Sequence, residues 1–448
     1  MGYYDSTPLD DIPQIVDRLP QASGYGQLRH ILELADNEEL FEALRAYNRT
    51  GRPPYPVDAM WRVVLCKYLL SIRYNIELVQ LLRTDPRLRE VCGLGDRVPS
   101  ESMVSRFFKR LTAHQDLIDE AIRALISKIA RLIDNQSALT DEGVGSMIAI
   151  DSTDVPSFSN PNPRRNCPVS DPEARWGHKT STRTKKGAEK VEWTFGYKVH
   201  LICDAVYGVP LTYIILPANE SDSRQLPELV SKLMAEQPWI EPQWLLADKG
   251  YDSNRNWRWL DDRMIDPVIL MRDLYKPGDL YDAKGRVVCT GGQAMEYVET
   301  DPSLGHLFRC PPEGCHLKGQ LAFSLYCQDS YENPDDPNDH DLLRRVGRVA
   351  RASKEFKDLY SNRQTIERLF GSAKQSRLLA THRYYRLFKV RLHVALSIMT
   401  YLLTMLNRVM VGRMDQLRRM RIRLPNQAIT ANHPPLLPST VIVQRDSN

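Results

Sequence analysis

The chain has 448 residues, of which 42% are hydrophobic and 26% charged. At roughly 100 to 200 residues per domain this length implies two to four modules, and the globular proportions exclude wholesale disorder. The net charge of +4 hides an asymmetry: residues 342–424 hold 20 Lys or Arg against 4 Asp or Glu, a net of +16, which leaves −12 for the rest. A basic segment of that size is the mark of a polyanion partner, because each neutralised phosphate releases counterions; a solvated helix face is the plainer alternative.

Met1 to Asp11 carries three acids and no basic residue, so no secretory start is expected. The most apolar stretch, Val394 to Leu406, contains Ser397, Thr400 and Thr404 and falls short of the roughly 20 residues that span a bilayer; it reads as a buried helix. Eight cysteines scattered through so long a chain are expected to be reduced thiols of a cytoplasmic protein.

Residues 1–135 read as an all-α N-terminal domain. Met60, Val63, Val64, Leu65, Tyr68, Leu69 and Ile72 recur at helical spacing, and short helices follow over 76–82 and 88–91. Ser100 offers an N-cap to a helix whose other face presents Arg106, Lys109 and Arg110. Those three cations belong either to a helix-turn-helix that contacts DNA or to a small bundle with a basic face.

From Ser146 the pattern turns to strands. Met147 to Ile150 runs into Asp151, Trp193 to Cys203 alternates, and Val209 to Leu216 follows the Tyr207-Gly208 turn. A helix over 226–234, a buried strand Trp244 to Ala247 ending at Asp248, and a strand over 267–271 complete the series. Three strands, helix, strand, helix, strand is the ribonuclease-H-like order. The predicted fold is therefore α/β, a mixed sheet with flanking helices, whose core spans 140–275 and resumes with basic helices over 342–424. Residues 160–192 read as a loop. Residues 276–341 read as a β-rich insertion ending in an acidic tract with Asp329, Glu332, Asp335, Asp336, Asp339 and Asp341, and 425–448 as a patternless tail.

Phosphodiester cleavage needs an activated water and a stabilised leaving oxygen, which two hard metal ions bridged by carboxylates supply. Asp151 and Asp248 each close an apolar run, although such strand-end acids are more often caps or turns. Tyr360, Arg363, Glu367 and Lys374 stand at relative positions 0, 3, 7 and 14, within roughly 60° of one another on a continuous helix. That helix face would present a carboxylate among a hydroxyl and two cations.

The spacing Tyr360, Arg363, Glu367, Lys374 resembles the signature of bacterial insertion-sequence DDE transposases. Ala149-Ile-Asp151-Ser-Thr, Phe195-Gly-Tyr-Lys-Val-His200, Asp204-Ala-Val-Tyr-Gly208, Pro217-Ala-Asn-Glu-Ser-Asp222 and Ala247-Asp-Lys-Gly-Tyr-Asp252 resemble that family's blocks, and residues 51–111 resemble its N-terminal domain. The resemblance implies that Asp151, Asp248 and Glu367 hold two Mg²⁺ or Mn²⁺ ions, and that Tyr360, Arg363 and Lys374 grip phosphates beside the cleaved bond. It also implies double-stranded DNA with terminal inverted repeats as substrate, a homodimer in the synaptic complex and a place at the bacterial nucleoid. Some relatives stack a flipped base on a Trp of the insertion; here 276–341 contains no Trp, which leaves Tyr281, Tyr297 or Phe308 for that role.

Asp154, Asp204, Asp222 and Asp252 are rival acids, ranked as supporting or structural. Cys310, Cys315 and Cys327, with His306 or His316, form either a structural zinc site in the insertion or plain thiols in a turn-rich segment.

Overall fold

A computed structural model describes residues 24–46, 54–136, 143–161, 169–181, 189–272, 282, 286–289, 291–301, 305–311, 322–325, 344, 347–422, 424 and 440–445. The acidic tract, Tyr281, Cys315, His316 and Cys327 lie outside the described residues.

The described residues of 24–136 form seven α-helices: α1 (Gly24–Glu33), α2 (Glu38–Arg45), α3 (Val57–Leu69), α4 (Asn75–Thr84), α5 (Pro86–Val91), α6 (Glu101–Leu111) and α7 (Gln115–Gln136). Local chemistry sets several starts. Asn37 caps α2 through Leu40 N at 3.0 Å, and Asp85 caps α5 through Leu88 N at 3.0 Å, ahead of Pro86 at the first helical position. Ser100 occupies the N-cap position of α6 as predicted, yet its hydroxyl makes no capping bond and meets Ser102 instead.

A seven-stranded mixed sheet follows, comprising β1 (Met147–Pro156), β2 (Arg175–Ser181), β3 (Glu189–Asp204), β4 (Pro210–Pro217), β5 (Trp244–Ala247), β6 (Asp266–Ile269) and, from the C-terminal end, a strand over Thr440–Arg445. Between these run α8 (Asp222–Glu236) and α9 (Asn254–Asp261). β3 pairs antiparallel with β1 and β4, whereas β1 to β5 and β5 to β6 are parallel. Gly196 sits where β1 and β2 both pair with β3, and a Cβ there would come within 2.5 Å of the Val155 carbonyl.

Two expectations are corrected. The 160–192 loop contains β2 and the start of β3, whose alternation is masked by Arg, Lys and Gly; Trp176 against Phe195, with ring centroids 5.5 Å apart, joins the two strands. The patternless tail contributes Thr440–Arg445, which pairs with Glu189 to Thr194.

A separate three-stranded antiparallel sheet, β7 (Glu296–Asp301), β8 (Gly305–Arg309) and β9 (Ala322–Leu325), lies within the predicted insertion. Then come α10 (Lys354–Ser361), α11 (Gln364–Ser376) and α12 (Leu387–Met410). By length and composition α12 is the one described helix able to cross a membrane, but it is a core helix, packed on α3, α7 and β4, with 78% of its apolar window buried. Arg377, fully buried, anchors this region by donating to Thr404 Oγ1 at 2.7 Å and to the Met420 carbonyl at 2.5 Å. Tyr68 and His393, 2.9 Å apart, tie α3 to α12.

Candidate active site

The β1/β5 register explains how two acids far apart in sequence meet. Met147 pairs with Trp244, Ile148 with Leu245 and Ala149 with Leu246; two residues further on stand Asp151, inside β1 rather than at its end, and Asp248, one residue past β5. The parallel register brings the two acids into one neighbourhood, where the Asp248 charge helps to raise the Asp151 carboxyl. Asp248 accepts from Gly250 N at 2.8 Å as it caps the short turn Lys249–Tyr251. A Cβ on Gly250 would lie 2.8 Å from that same carboxylate oxygen, so only glycine fits the turn without moving the acid.

The third acid arrives on α11. The Tyr360 to Lys374 segment is not one helix: α10 ends at Ser361 and α11 starts at Gln364. Ser361 and Asn362 bond back to the carbonyl of Asp358, and three-residue hydrogen bonds from Arg363 N to Tyr360 O and from Ile366 N to Arg363 O tighten the passage. Tyr360 thus sits on α10, stacked on Phe356, and Glu367 sits in the first turn of α11.

Arg363 joins the set. It donates to Asp151 Oδ2 at 3.0 Å and to Glu367 Oε1 at 2.7 Å, and its charge is also felt by Tyr360. Burial pushes the Asp151 carboxyl up to about 6, opposed by Arg363 and by the Ser152 N–H, with Asp248 adding to the rise. Lys374 is held below the usual lysine range by burial and by the like charge of Lys179.

Supporting groups surround the acids, and sequence spacing did not single out most of them. Asp222, at the start of α8, accepts from Ser152 Oγ and from Lys198 Nζ, both at 3.0 Å. His200 stands 3.7 Å from Asp222, and burial lowers its pKa to about 4, so it is neutral. The other rival acids are occupied. Asp204 accepts from the backbone N–H groups of Gly145, Val206 and Tyr207. Asp252 receives Arg344 twice, Trp257 Nε1 and Arg272 N.

The N-terminal cations divide. Arg106 and Lys109 are exposed, whereas Arg110 donates to the Leu44 carbonyl and lies over the Phe107 ring. In the insertion Phe308 is buried and Tyr297 half-buried against it. Nothing supports the zinc reading: the two ring nitrogens of His306 meet Thr300 Oγ1 and the Gly347 carbonyl, both at 2.9 Å, and Cys315, His316 and Cys327 lie outside the described residues. Cys310 is a buried thiol, like Cys66, Cys92, Cys203 and Cys289.

The sequence matches the family model Transposase DDE domain over residues 142–403 and Transposase domain (DUF772) over 13–110. The chain belongs to the DDE transposase family. A curated relative, a putative transposase for insertion sequence element IS402 of Burkholderia cepacia, is 38% identical over 104 residues, covering 22% of this chain and 46% of that protein. The match spans about half the length of that relative. Among solved structures, a pre-cleavage Mos1 transpososome is similar at 15% identity and a TM-score of 0.16, covering 55% of this chain and 78% of its own. A Mos1 paired-end complex with left transposon end gives 15% and 0.16 over 56% and 70%. Both likenesses are too distant to place any residue.

Members of the family use divalent metal ions. Among the described residues of this DDE-family chain, no three His, Cys, Asp or Glu side chains stand close enough to hold a metal as they are. The donor chemistry nonetheless fits: a carboxylate within β1, one just past β5 and one on α11 are all oxygen donors, and Asp151 and Glu367 share a guanidinium whose charge a hard dication would replace.

Proposed function

We propose that this chain is a DNA transposase that binds terminal inverted repeats as a homodimer, cleaves phosphodiester bonds and joins the ends to target DNA. The observation that carries the reading is the approach of Asp151 and Glu367 to one guanidinium, with Asp248 just past β5, the strand parallel to β1, inside the segment that matches the family. The strand order β4-β3-β1-β5-β6, antiparallel and then parallel, supports a ribonuclease-H-like core made of 140–275 and 342–424. In this reading 1–135 is the DNA-binding domain, 276–341 the inserted subdomain and 425–448 the tail.

Two Mg²⁺ or Mn²⁺ ions held by Asp151, Asp248 and Glu367 would supply the activated water and stabilise the leaving oxygen. The chain's own groups do the rest. The Asp151 carboxylate must be ionised to act, which its burial delays until pH is above about 6. Arg363 leaves the carboxylates for the phosphate oxygens, where a planar fork makes two parallel bonds, while Tyr360 and Lys374 hold the flanking phosphates. Arg106 and Lys109 add backbone contacts remote from the cleaved bond. Among the described residues of the insertion, Tyr297 rather than the buried Phe308 is available to a flipped base.

The test is a joining assay with pre-cut repeat ends and a target plasmid in Mg²⁺. Joined products are expected; nicking of uncut repeats without any joining would make the protein a nuclease on the same fold.

A further inference from the structure

Five aromatic side chains are exposed among the described residues, and four of them, Tyr74, Phe158, Tyr385 and Phe388, fall in one region, so they are not the singly scattered apolar groups of an ordinary surface. Three parts of the chain bring them there. Tyr74 precedes α4, Phe158 follows β1, and Tyr385 and Phe388 flank the start of α12. Phe158 N donates to the Tyr384 carbonyl at 2.9 Å, which ties the end of β1 to the segment before α12. Tyr384 itself turns inward, stacked on Phe108 of α6 with ring centroids 4.3 Å apart, and leaves its neighbours Arg383 and Tyr385 outside. Two cations lie on the rings. The Arg383 guanidinium is 4.3 Å from the centre of the Tyr74 ring and 5.6 Å from that of Phe158. Lys389 Nζ is 4.7 Å from the Tyr385 ring and 5.6 Å from the Phe388 ring.

The strip runs between the two places already assigned to DNA. Asn75, next to Tyr74, donates to Ser105 Oγ on α6 at 3.0 Å, one residue from the exposed Arg106. In the other direction Phe158 stands seven residues beyond Asp151 on extended chain, which at about 3.3 Å per residue keeps it within roughly 23 Å of that acid. The acids nearby are engaged: Asp171 is buried, Glu173 accepts from Leu387 N and Glu77 from Tyr74 N. A cationic strip of rings suits nucleic acid, because a ring offers its face to any base while the cation beside it meets the phosphate. In a duplex the base faces are covered by their neighbours, so the rings need an unpaired strand. We infer that Tyr74, Phe158, Tyr385 and Phe388, with Arg383 and Lys389, form a binding strip for single-stranded DNA that leads from α6 toward the three acids. The inference rests on the transposase reading and deepens it by naming an unpaired strand as one form of the substrate. The six residues bind; they are not catalytic.

The full-length protein is titrated with a labelled thymidine oligonucleotide of about 15 residues and with the same strand paired to its complement. The parent is compared with Tyr385→Leu, Phe388→Leu and Tyr385→Phe, and thermal melting checks folding. Leucine keeps apolar surface and removes the ring face. Each leucine variant should bind the single strand roughly tenfold more weakly, the loss of one stacked base, with duplex affinity unchanged. Tyr385→Phe should match the parent. Iodouracil placed in the oligonucleotide should crosslink the parent within the strip on irradiation, a readout that needs no variant. Parental single-strand affinity in both leucine variants, an equal loss on duplex, or crosslinks confined to other surfaces overturns the strip. So does unchanged single-strand binding by leucine variants that sediment as monomers where the parent is a dimer, which would make the rings a contact between copies. A parent that binds duplex but no single strand overturns the strip alone, and one that binds neither overturns the transposase reading with it.

Discussion

The Arg363 guanidinium reaches across 212 residues of sequence to the Asp151 carboxylate at 3.0 Å. Its other terminal nitrogen holds Glu367, so one cation bridges two of the three acids proposed to hold the metal. Arg363→Ala should therefore bind Mn²⁺ more tightly than the parent without DNA, by roughly three- to tenfold if the competing pair is worth about 1 kcal/mol. The same variant should join ends poorly, because the phosphate clamp is gone. Electron paramagnetic resonance of free Mn²⁺ reads the affinity directly. Weaker binding would mean that Arg363 gathers the acids rather than competing for them.

Asp151 makes metal-free stability depend on pH. Its folded pKa, raised to about 6 chiefly by burial, lies above the ordinary carboxyl value of about 3.9. The folded state then binds more protons between about pH 4 and 6, so the stability this group contributes is present at low pH and lost as pH rises through about 6. Asp151→Asn imitates the protonated form. In chelator it should stabilise the protein by on the order of 1–3 kcal/mol at pH 8 and by nothing at pH 4. Denaturant titrations at the two pH values check this, and an equal effect at both would remove Asp151 as the titrating group.

Gly250 tests how tightly the Asp248 carboxylate is placed. An added methyl would sit 2.8 Å from its oxygen and push it off the turn. Gly250→Ala should lower Mn²⁺ affinity by about tenfold, which corresponds to about 1.4 kcal/mol, while the melting temperature moves by only a few degrees. Unaltered affinity would show that the turn yields without moving the acid.

Asp252 should behave as a structural acid. Fully buried at its side chain, it receives both Arg344 nitrogens along with Trp257 and the Arg272 backbone. Asp252→Ala removes the buried carboxylate to which two nitrogens of the mostly buried Arg344 donate and should cost about 3–5 kcal/mol, read by chemical denaturation. An Asp252→Ala protein of parental stability that no longer cleaves DNA would instead return Asp252 to the metal site.

The three acids could be singled out as candidates because Asp151 and Asp248 end apolar runs and Glu367 sits in a spaced signature. Their partners could not. Lys198 and His200 lie inside a strand where they read as ordinary alternation, and only the pairing of β1 with β3 shows that His200 stands opposite Ser152. β2 was hidden because its stability comes from pairing with β3 rather than from its own composition. The signature suggested one continuous helix, since 100° periodicity is blind to the side-chain bonds by which Ser361 and Asn362 break it.

The central claim is that Asp151, Asp248 and Glu367 act as one metal-dependent cleavage centre, and Glu367→Gln tests it with the least disturbance, because Glu367 is exposed and the change keeps its volume. Nicking of duplexes carrying the terminal repeat is measured in Mg²⁺ beside binding of the same DNA. The account predicts parental binding and melting temperature, with nicking reduced at least a thousandfold, about 4 kcal/mol of barrier. Nicking at the parental rate by a folded, DNA-bound Glu367→Gln protein would contradict it.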